Sequence, residues 1–161
     1  MTRDVSKGRV RDWMAAPRPA ITPRTTIATA LRLLREHGSA ALPVLDGAGV
    51  VGLVNETALL RFTPSEAVTV DAYELRELLD HVTVSRATTP VSAAVAPDTP
   101  LSAAAAAMRL ACAPVLPVMD GDRLVGLLPW TQLLAAAAED ALRGNRPSGT
   151  AERGASAPFH L

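Results

Sequence analysis

The sequence LPVLDGAGVVGLVN at residues 42–55 returns 74 positions later as LPVMDGDRLVGLLP at residues 116–129. In both copies, a short apolar run leads to an Asp-Gly pair and then to a second apolar run around a glycine. This pattern is typical of two antiparallel strands joined by a tight turn. The same shift aligns residues 21–60 with residues 95–134 without a gap, and fifteen of the forty positions are identical. A duplication of this length predicts two units of the same fold.

Each copy is predicted to fold as strand, helix, strand, strand and helix. In the first copy, Thr25 is a suitable N-cap for a helix that Gly38 would end in a left-handed conformation. In the second copy, Thr99 takes the capping role and Pro100 the first helical position. Asn55 is predicted to cap the closing helix of the first copy.

The strands of both copies follow from the apolar runs on either side of the Asp-Gly pairs. The second copy is predicted to close with a helix that Pro129 opens and that runs to about Leu142. The predicted strands are Ala41–Leu45 and Val50–Val54 in the first copy, and Val115–Met119 and Leu124–Leu128 in the second.

A third helical pattern lies between the two copies. Asp71 and Glu74 have the spacing of a capping box, and an apolar stripe follows them. This pattern predicts a connector helix packed on the module. The stripe consists of Leu75, Leu78, Leu79 and Val82. The predicted organisation is an N-terminal arm at 1–8, a first repeat at 9–62, a connector at 63–82, a second repeat at 83–143 and a disordered tail at 144–161.

Composition excludes several classes of partner. The chain has 161 residues, of which 48% are hydrophobic and 3% aromatic, so its core must be aliphatic. Sixteen basic residues balance sixteen acidic ones, and this balance gives no overall attraction to nucleic acid or to an anionic membrane. The single Cys112 cannot form an internal disulfide, and no apolar run suits a membrane span or a signal peptide. These features predict a cytoplasmic protein.

The repeated motifs resemble a known family. They are VRDWM (10–14), ITPRTTI (21–27), LPVLD (42–46) and GLVN (52–55), followed by VSRATTP (84–90), VAPDTPL (95–101), LPVMD (116–120) and GLLP (126–129). Together they resemble a tandem pair of CBS domains of the stand-alone bacterial type. The resemblance implies an α+β fold of two β-α-β-β-α repeats packed with pseudo-twofold symmetry, plus the connector helix.

The same resemblance implies a homodimer and two clefts for an adenosine-type regulatory ligand such as AMP, ATP or S-adenosylmethionine, with no required cofactor. Carried onto this sequence, the first cleft uses Ile21, Thr22, Ala41, Leu42, Pro43, Val54 and Asn55. The second cleft uses Val95, Ala96, Val115, Leu116, Pro117, Leu128 and Gln132. In this family a Thr or Ser after the third strand and an Asp three residues further on hold phosphate and ribose. Those two positions carry Asn55 and Ala58 in the first repeat, and Pro129 and Gln132 in the second.

The residues themselves leave other interpretations open. Thr22 and Asn55 also suit a strand-end hydroxyl and a helix cap, and Gln132 suits a solvated helix surface. Trp130 suits either the interface between the repeats or stacking on a base.

Two functions remain possible at this stage. In one, a ligand bound between the repeats changes their packing and an unknown protein partner reads the change. In the other, which Ala58 and Pro129 favour, the chain is an interaction or dimerisation scaffold with ligand-free clefts. The sequence contains no evident nucleophile with a base, phosphate loop, paired carboxylates or metal cluster. We therefore predict no enzymatic activity and no catalytic or metal site.

Overall fold

The computed structural model describes residues 8–17, 19–47, 49–63 and 71–144. The predicted arm, apart from residue 8, and the predicted tail, apart from residue 144, lie outside this range. Short 3-10 turns occupy Val10–Asp12 and Val84–Arg86. The main elements are α1 (Ile27–His37), β1 (Leu42–Asp46), β2 (Gly49–Val54), α2 (Glu56–Leu60), α3 (Ala72–His81), α4 (Leu101–Ala111), β3 (Val115–Asp120), β4 (Arg123–Pro129) and α5 (Trp130–Gly144).

Two antiparallel hairpins form the centre of the fold, as the repeated motif predicts. Strand β1 pairs with β2, and β3 pairs with β4 in the equivalent register. Both Asp-Gly pairs form the turns, with the glycines at φ values of 62° (Gly47) and 58° (Gly121). The predicted first strand of each repeat is reduced to a single parallel bridge, from Ile21 to Val44 and from Val95 to Val118. The mixed helix and strand class of the prediction is therefore confirmed.

Helix α1 begins one residue later than the sequence predicts. Its N-cap is Thr26, whose hydroxyl accepts a hydrogen bond from the Thr29 N–H at 3.2 Å. The predicted cap, Thr25, instead accepts from the Thr22 N–H at 3.1 Å and so closes the turn that precedes the helix. The prediction of Thr25 as the cap is wrong because its hydroxyl already serves this turn.

The second repeat shows the same one-residue shift. Thr99 accepts from the Ala96 N–H at 3.1 Å, and Pro100 is the N-cap residue of α4 rather than its first helical residue. Gly38 ends α1 with φ 56°, as predicted, whereas its counterpart Cys112 takes a similar left-handed conformation with φ 49°.

The connector helix α3 forms, but it is only partly covered. Leu75 and Leu79 are half-buried, while Leu78 remains 46% exposed. The helix contacts α1. Asp71 is its N-cap residue but accepts no capping hydrogen bond, so the predicted capping box is wrong.

The core has one cluster in each repeat and a third between them. The first cluster consists of Ile21, Ile27, Ala30, Leu31, Leu34, Leu42, Val44, Val54, Leu59, Val84 and Ala87. The second consists of Val10, Val95, Leu101, Ala104, Met108, Leu116, Val118, Leu128 and Ala136. The third joins Ala41 of the first repeat to Val115 and Leu127 of the second, so the two hairpins pack against each other.

The segment that precedes the first repeat packs on the second repeat. Val10 is fully buried in the second cluster. Ala15 pairs with Leu127 of β4 through two backbone hydrogen bonds of 2.8 and 3.0 Å. Arg11 adds an ion pair with Asp98. Residues 8–15 therefore complete the fold of the repeat that lies further from them in sequence.

The segment that leads into the second repeat, residues 83–93, makes the reciprocal contact with the first repeat. Val84, which lies 74 positions after Val10, is fully buried in the first cluster. Thr89 pairs with Leu53 of β2 through two backbone hydrogen bonds of 2.9 Å. The two repeats are thus linked by an exchange of their leading segments as well as by the packing of their hairpins.

Candidate functional site

An open cleft of about 120 Å³ lies where the two repeats meet. This volume is below the roughly 300–1,000 Å³ that is usual for a small-molecule site, so the cleft encloses only part of a ligand of that size. Its lining comes from three parts of the chain, namely the hairpin of the first repeat, the segment that enters the second repeat, and the end of α4 with the start of β3. The lining residues are Ala41, Leu53, Asn55, Thr89, Pro90, Val91, Ser92, Ala93, Ala111, Cys112, Ala113, Pro114, Val115 and Pro117.

Backbone pairing brings these three parts together. The pairing of Thr89 with Leu53 holds residues 89–93 beside the end of β2, where Asn55 begins α2. The same segment continues to Val95, whose N–H donates to the Pro117 carbonyl at 3.1 Å. The cleft is therefore a consequence of the exchanged leading segment of the second repeat, which passes from the hairpin of the first repeat to that of the second.

Asn55 is the polar side chain best fixed in the cleft. Its Oδ1 accepts a hydrogen bond from the Ala58 N–H at 2.8 Å, and its carbonyl accepts from the Leu59 N–H at 3.1 Å. The capping prediction for Asn55 is confirmed. Because Oδ1 is occupied, the amide is oriented, and Nδ2 has no hydrogen-bond partner among the described residues. An oriented Nδ2 is a donor for an acceptor atom on a ligand.

The remaining polar groups of the cleft are neutral. Thr89 and Ser92 are exposed, and within the described part of the chain their hydroxyls form no hydrogen bond. The exposed Cys112 directs its thiol to the Arg109 carbonyl at 3.7 Å. All fourteen described lining residues are uncharged. The cleft is therefore a mainly apolar slot with a few neutral hydrogen-bonding groups.

The predicted site residues are divided between this cleft and the core. Ala41 and Asn55 of the predicted first cleft line it, but so do Val115 and Pro117 of the predicted second cleft. This cleft therefore draws predicted residues from both repeats, because the segment that enters the second repeat lies beside the hairpin of the first. Ligand contact by these residues stays a prediction.

The other predicted residues do not line this cleft. The side chains of Ile21, Leu42, Pro43, Val54, Val95, Leu116 and Leu128 are buried in the core. Thr22 and Ala96 are exposed, and their N–H groups donate to the hydroxyls of Thr25 and Thr99. Gln132 is half-buried on α5.

Sequence reasoning missed Leu53 and residues 89–93 and 111–114, which also line the cleft. They carry no charge and no repeated polar motif, so local pattern gives them no functional signal. Their position in the cleft follows from the long-range pairing of Thr89 with Leu53. The spacing of apolar residues along the sequence gives no information about such a pairing.

The position equivalent to Asn55 in the second repeat has a different chemistry. It is the buried Pro129, which has neither a side-chain donor nor a backbone N–H. The next N–H, that of Trp130, donates to the Pro114 carbonyl at 2.9 Å. This part of the second repeat therefore offers a ligand no donor comparable to Asn55 Nδ2.

Two kinds of feature are absent from the described residues. No group of three or more His, Cys, Asp or Glu residues in this part of the chain could hold a metal ion. Nor does any helix within it have the length and apolar character needed to cross a membrane.

Comparison with known proteins identifies similar sequences and folds. The family model for the CBS domain matches residues 10–65 and residues 82–139. The CBS domain of a CBS domain containing membrane protein from Sphaerobacter thermophilus is 24% identical with a TM-score of 0.70, over 83% of this chain and 90% of that one. The protein CBSX2, solved in complex with AMP, is 29% identical with a TM-score of 0.64, over 81% of this chain and 97% of that one.

A third similar structure is the CBS domain of a bacterial CNNM/CorC family Mg²⁺ transporter in complex with ATP. It is 21% identical with a TM-score of 0.66, over 84% of this chain and 90% of that one. A search of curated proteins gave no match.

Proposed function

Because the chain belongs to the CBS-domain family, we propose that it is a regulatory module that binds an adenine nucleotide in the cleft at Asn55. The observation that carries this proposal is the cleft itself, whose lining combines small apolar side chains with the oriented Asn55 amide. The AMP complex of CBSX2, at 29% identity, supports the choice of nucleotide. S-adenosylmethionine stays a prediction from the resemblance alone.

The proposed ligand contacts follow from the shape and polarity of the lining. A flat base fits among Ala41, Val115 and the neighbouring prolines, since small and aliphatic side chains form a narrow apolar slot. Asn55 Nδ2 donates to an acceptor atom of the ligand, and the hydroxyls of Thr89 and Ser92 serve its ribose.

Regulation follows from the position of the cleft. A ligand there touches the hairpins of both repeats and residues 89–93 between them, so it favours whichever packing of the repeats gives the better contacts. The proposed signal is this change in packing, which a protein partner reads. We further propose one ligand per chain, because Pro129 replaces the Asn55 amide in the second repeat.

Calorimetric titration with AMP tests this proposal through the variant Asn55→Asp. Aspartate is as good an N-cap as asparagine, so it can still accept from the Ala58 N–H, but it cannot donate. We expect the wild type to bind one AMP per chain and the variant to bind about tenfold more weakly, the effect of losing one hydrogen bond. Its melting temperature without ligand should stay close to that of the wild type.

The matched control is Thr57→Asp, which adds the same charge to α2 at an exposed residue that does not line the cleft. It should retain most of the AMP affinity. Absence of AMP binding by the wild type would contradict the proposed function. Equal losses in both variants would attribute the effect to charge and remove Asn55 from the site.

Helix α5 favours a second candidate function, that of a homodimerisation module. Trp130, Leu134, Ala137 and Ala141 lie on one face of the helix at the spacing i, i+4, i+7 and i+11, and all four are exposed. Trp130 is 50% and Leu134 is 55% exposed. An apolar helix face of this kind suits a self-complementary contact with a second copy of the chain.

We predict that Leu134→Lys converts a dimer to a monomer by placing a charge in that contact. Sedimentation velocity of the wild type and the variant measures the change. Leu110→Lys, at a 79% exposed leucine on α4, is the control and should leave the dimer intact. A monomeric wild type would rule out the dimer, and a dimer that survives Leu134→Lys would move its interface away from α5.

A further inference from the structure

Part of the backbone that lines the cleft has no pairing. Residues 90–94 belong to no helix or strand, and among the described residues their N–H and C=O groups form no hydrogen bond. Residues 90–93 of this stretch line the cleft. Backbone polar groups need a partner, which is water or another chain where the protein itself supplies none. We infer that this stretch binds an extended peptide segment of a partner protein through main-chain hydrogen bonds.

The unpaired stretch lies between two residues that are paired. Thr89 forms two backbone hydrogen bonds of 2.9 Å with β2, and Val95 forms two, of 3.1 and 2.8 Å, with β3. In an extended chain, alternate residues direct their N–H and C=O groups to the same edge. Val91 and Ala93 are the alternate positions between Thr89 and Val95. An added strand would therefore fill the gap between the two hairpins by bonding to Val91 and Ala93.

The first repeat lacks the corresponding donors. The residues equivalent to Val91 and Ala93, 74 positions earlier in the chain, are Pro17 and Pro19. Proline has no N–H, and natural proteins place it on exposed edges to prevent the addition of a strand. The second repeat has no proline at either position, so the proposed peptide site belongs to its leading segment alone.

The lining of the cleft defines the chemistry of the peptide. All fourteen described lining residues are uncharged, so a charged side chain would lose its hydration there without gaining a partner. The enclosed volume of about 120 Å³ is close to that of a cavity of about 150 Å³ that holds one benzene molecule. It therefore accepts one aliphatic or aromatic side chain. The partner segment is an extended, uncharged stretch with one such side chain at its centre.

The peptide and the nucleotide of the proposed function use the same cleft, so they exclude each other. Only this exclusion rests on the proposed function, because the main-chain contacts of the peptide need no nucleotide. A partner held by its extended segment would then be released when a nucleotide enters the cleft.

The test is calorimetric titration of the full chain with four capped pentapeptides, acetyl-Thr-Val-X-Val-Thr-amide, in which X is Val, Leu, Ile or Phe. Peptide concentrations up to about 5 mM detect dissociation constants as weak as about 1 mM, and we expect at least one probe to bind. Cys112, the only cysteine of the chain, is exposed in the cleft and reports the location. Its reaction with an aromatic disulfide reagent should slow when the probe is bound.

The double variant Val91→Pro/Ala93→Pro removes the two donors. Because the first repeat has prolines at the equivalent positions, the substitutions suit the backbone of this stretch. We expect the affinity for the probe to fall by about tenfold or more, the effect of losing one or two hydrogen bonds. The matched control is Ala40→Pro, at an exposed residue outside the lining whose N–H donates to no described acceptor and whose equivalent is Pro114. It should bind the probe as the wild type does.

A second measurement does not depend on the folding of a variant. A probe that carries methyl groups on its two central amide nitrogens cannot pair along either edge, and it should not bind. Failure of all four probes, binding that leaves Cys112 fully reactive, equal affinity for the methylated probe, or equal losses in the double variant and Ala40→Pro would each overturn the inference.

AMP titrated in parallel separates this inference from the proposed function. Binding of AMP without binding of any probe would overturn the inference and leave the proposed function standing. Binding of a probe without binding of AMP would do the reverse. Simultaneous binding of AMP and a probe without competition would place the peptide outside the cleft and overturn the inference.

Discussion

Replacing Gly52 by alanine is expected to lower the free energy of unfolding by about 3 kcal/mol, the upper part of the usual range for overpacking a tight site. A methyl group on Gly52 would lie 2.4 Å from Thr88 Cγ2 and 2.4 Å from the Thr89 carbonyl oxygen. Both distances are well below van der Waals contact. The carbonyl belongs to the backbone and accepts the Leu53 N–H at 2.9 Å, so it cannot retreat without breaking the pairing.

Two other glycines provide matched controls for urea denaturation of this variant. At Gly126, the equivalent position in the second repeat, a methyl group would lie 2.6 Å from Met14 Sδ, and a flexible methionine can move. Gly126→Ala should therefore cost less, about 1 kcal/mol. At Gly49 the methyl group would lie 3.8 Å from the Asp46 carbonyl oxygen, an ordinary contact, and the change should be within about 0.5 kcal/mol.

The order of these three variants directly tests the contact of Thr88 and Thr89 with β2. If Gly52→Ala were no less stable than Gly49→Ala, Thr89 could not lie against β2 as described. Because the same pairing holds residues 89–93 in the cleft, Gly52→Ala should also weaken AMP binding at temperatures where the protein is still folded.

The sequence predicts the local elements well because their determinants are local. Each hairpin follows from two apolar runs around an Asp-Gly pair, and the end of α1 follows from Gly38. The start of α1 is displaced by one residue because two adjacent threonines, Thr25 and Thr26, compete for one capping role. Only the backbone of the preceding turn decides which hydroxyl caps the helix.

The cleft could not be predicted in the same way, because its composition depends on which repeat each leading segment packs against. Val10 and Val84 occupy equivalent positions 74 residues apart, and both are buried. Their apolar character indicates burial but carries no information about the partner. Because the leading segments are exchanged between the repeats, Val115 and Pro117 line the same cleft as Asn55, although they belong to different repeats.

The second large effect is expected from Leu59→Ala, which should lower the free energy of unfolding by about 3 kcal/mol, within the range for removing a buried leucine side chain. Leu59 has no exposed surface and lies in the core of the first repeat. Its neighbour Leu60 is 42% exposed, so Leu60→Ala is the matched control and should cost less than about 1 kcal/mol. Urea denaturation of the two variants measures the difference.

The same pair of variants connects stability to ligand binding. Helix α2 has five residues, too few to be stable without tertiary contacts, and Leu59 is its buried anchor. Loss of that anchor releases the turn in which Ala58 holds the Asn55 side chain. We therefore expect Leu59→Ala to weaken AMP binding even at temperatures where it is folded, and Leu60→Ala to bind normally.

The equivalent leucine of the second repeat provides a control for the effect of Leu59→Ala on ligand binding. Its equivalent residue, Leu133, is half-buried on α5, a helix of fifteen residues that does not depend on one anchor. Leu133→Ala should be less destabilising than Leu59→Ala, and it should leave AMP binding unchanged because α5 contributes no residue to the lining. Equal losses of AMP affinity in both variants would mean that binding follows global stability, and α2 would then have no specific role in holding Asn55.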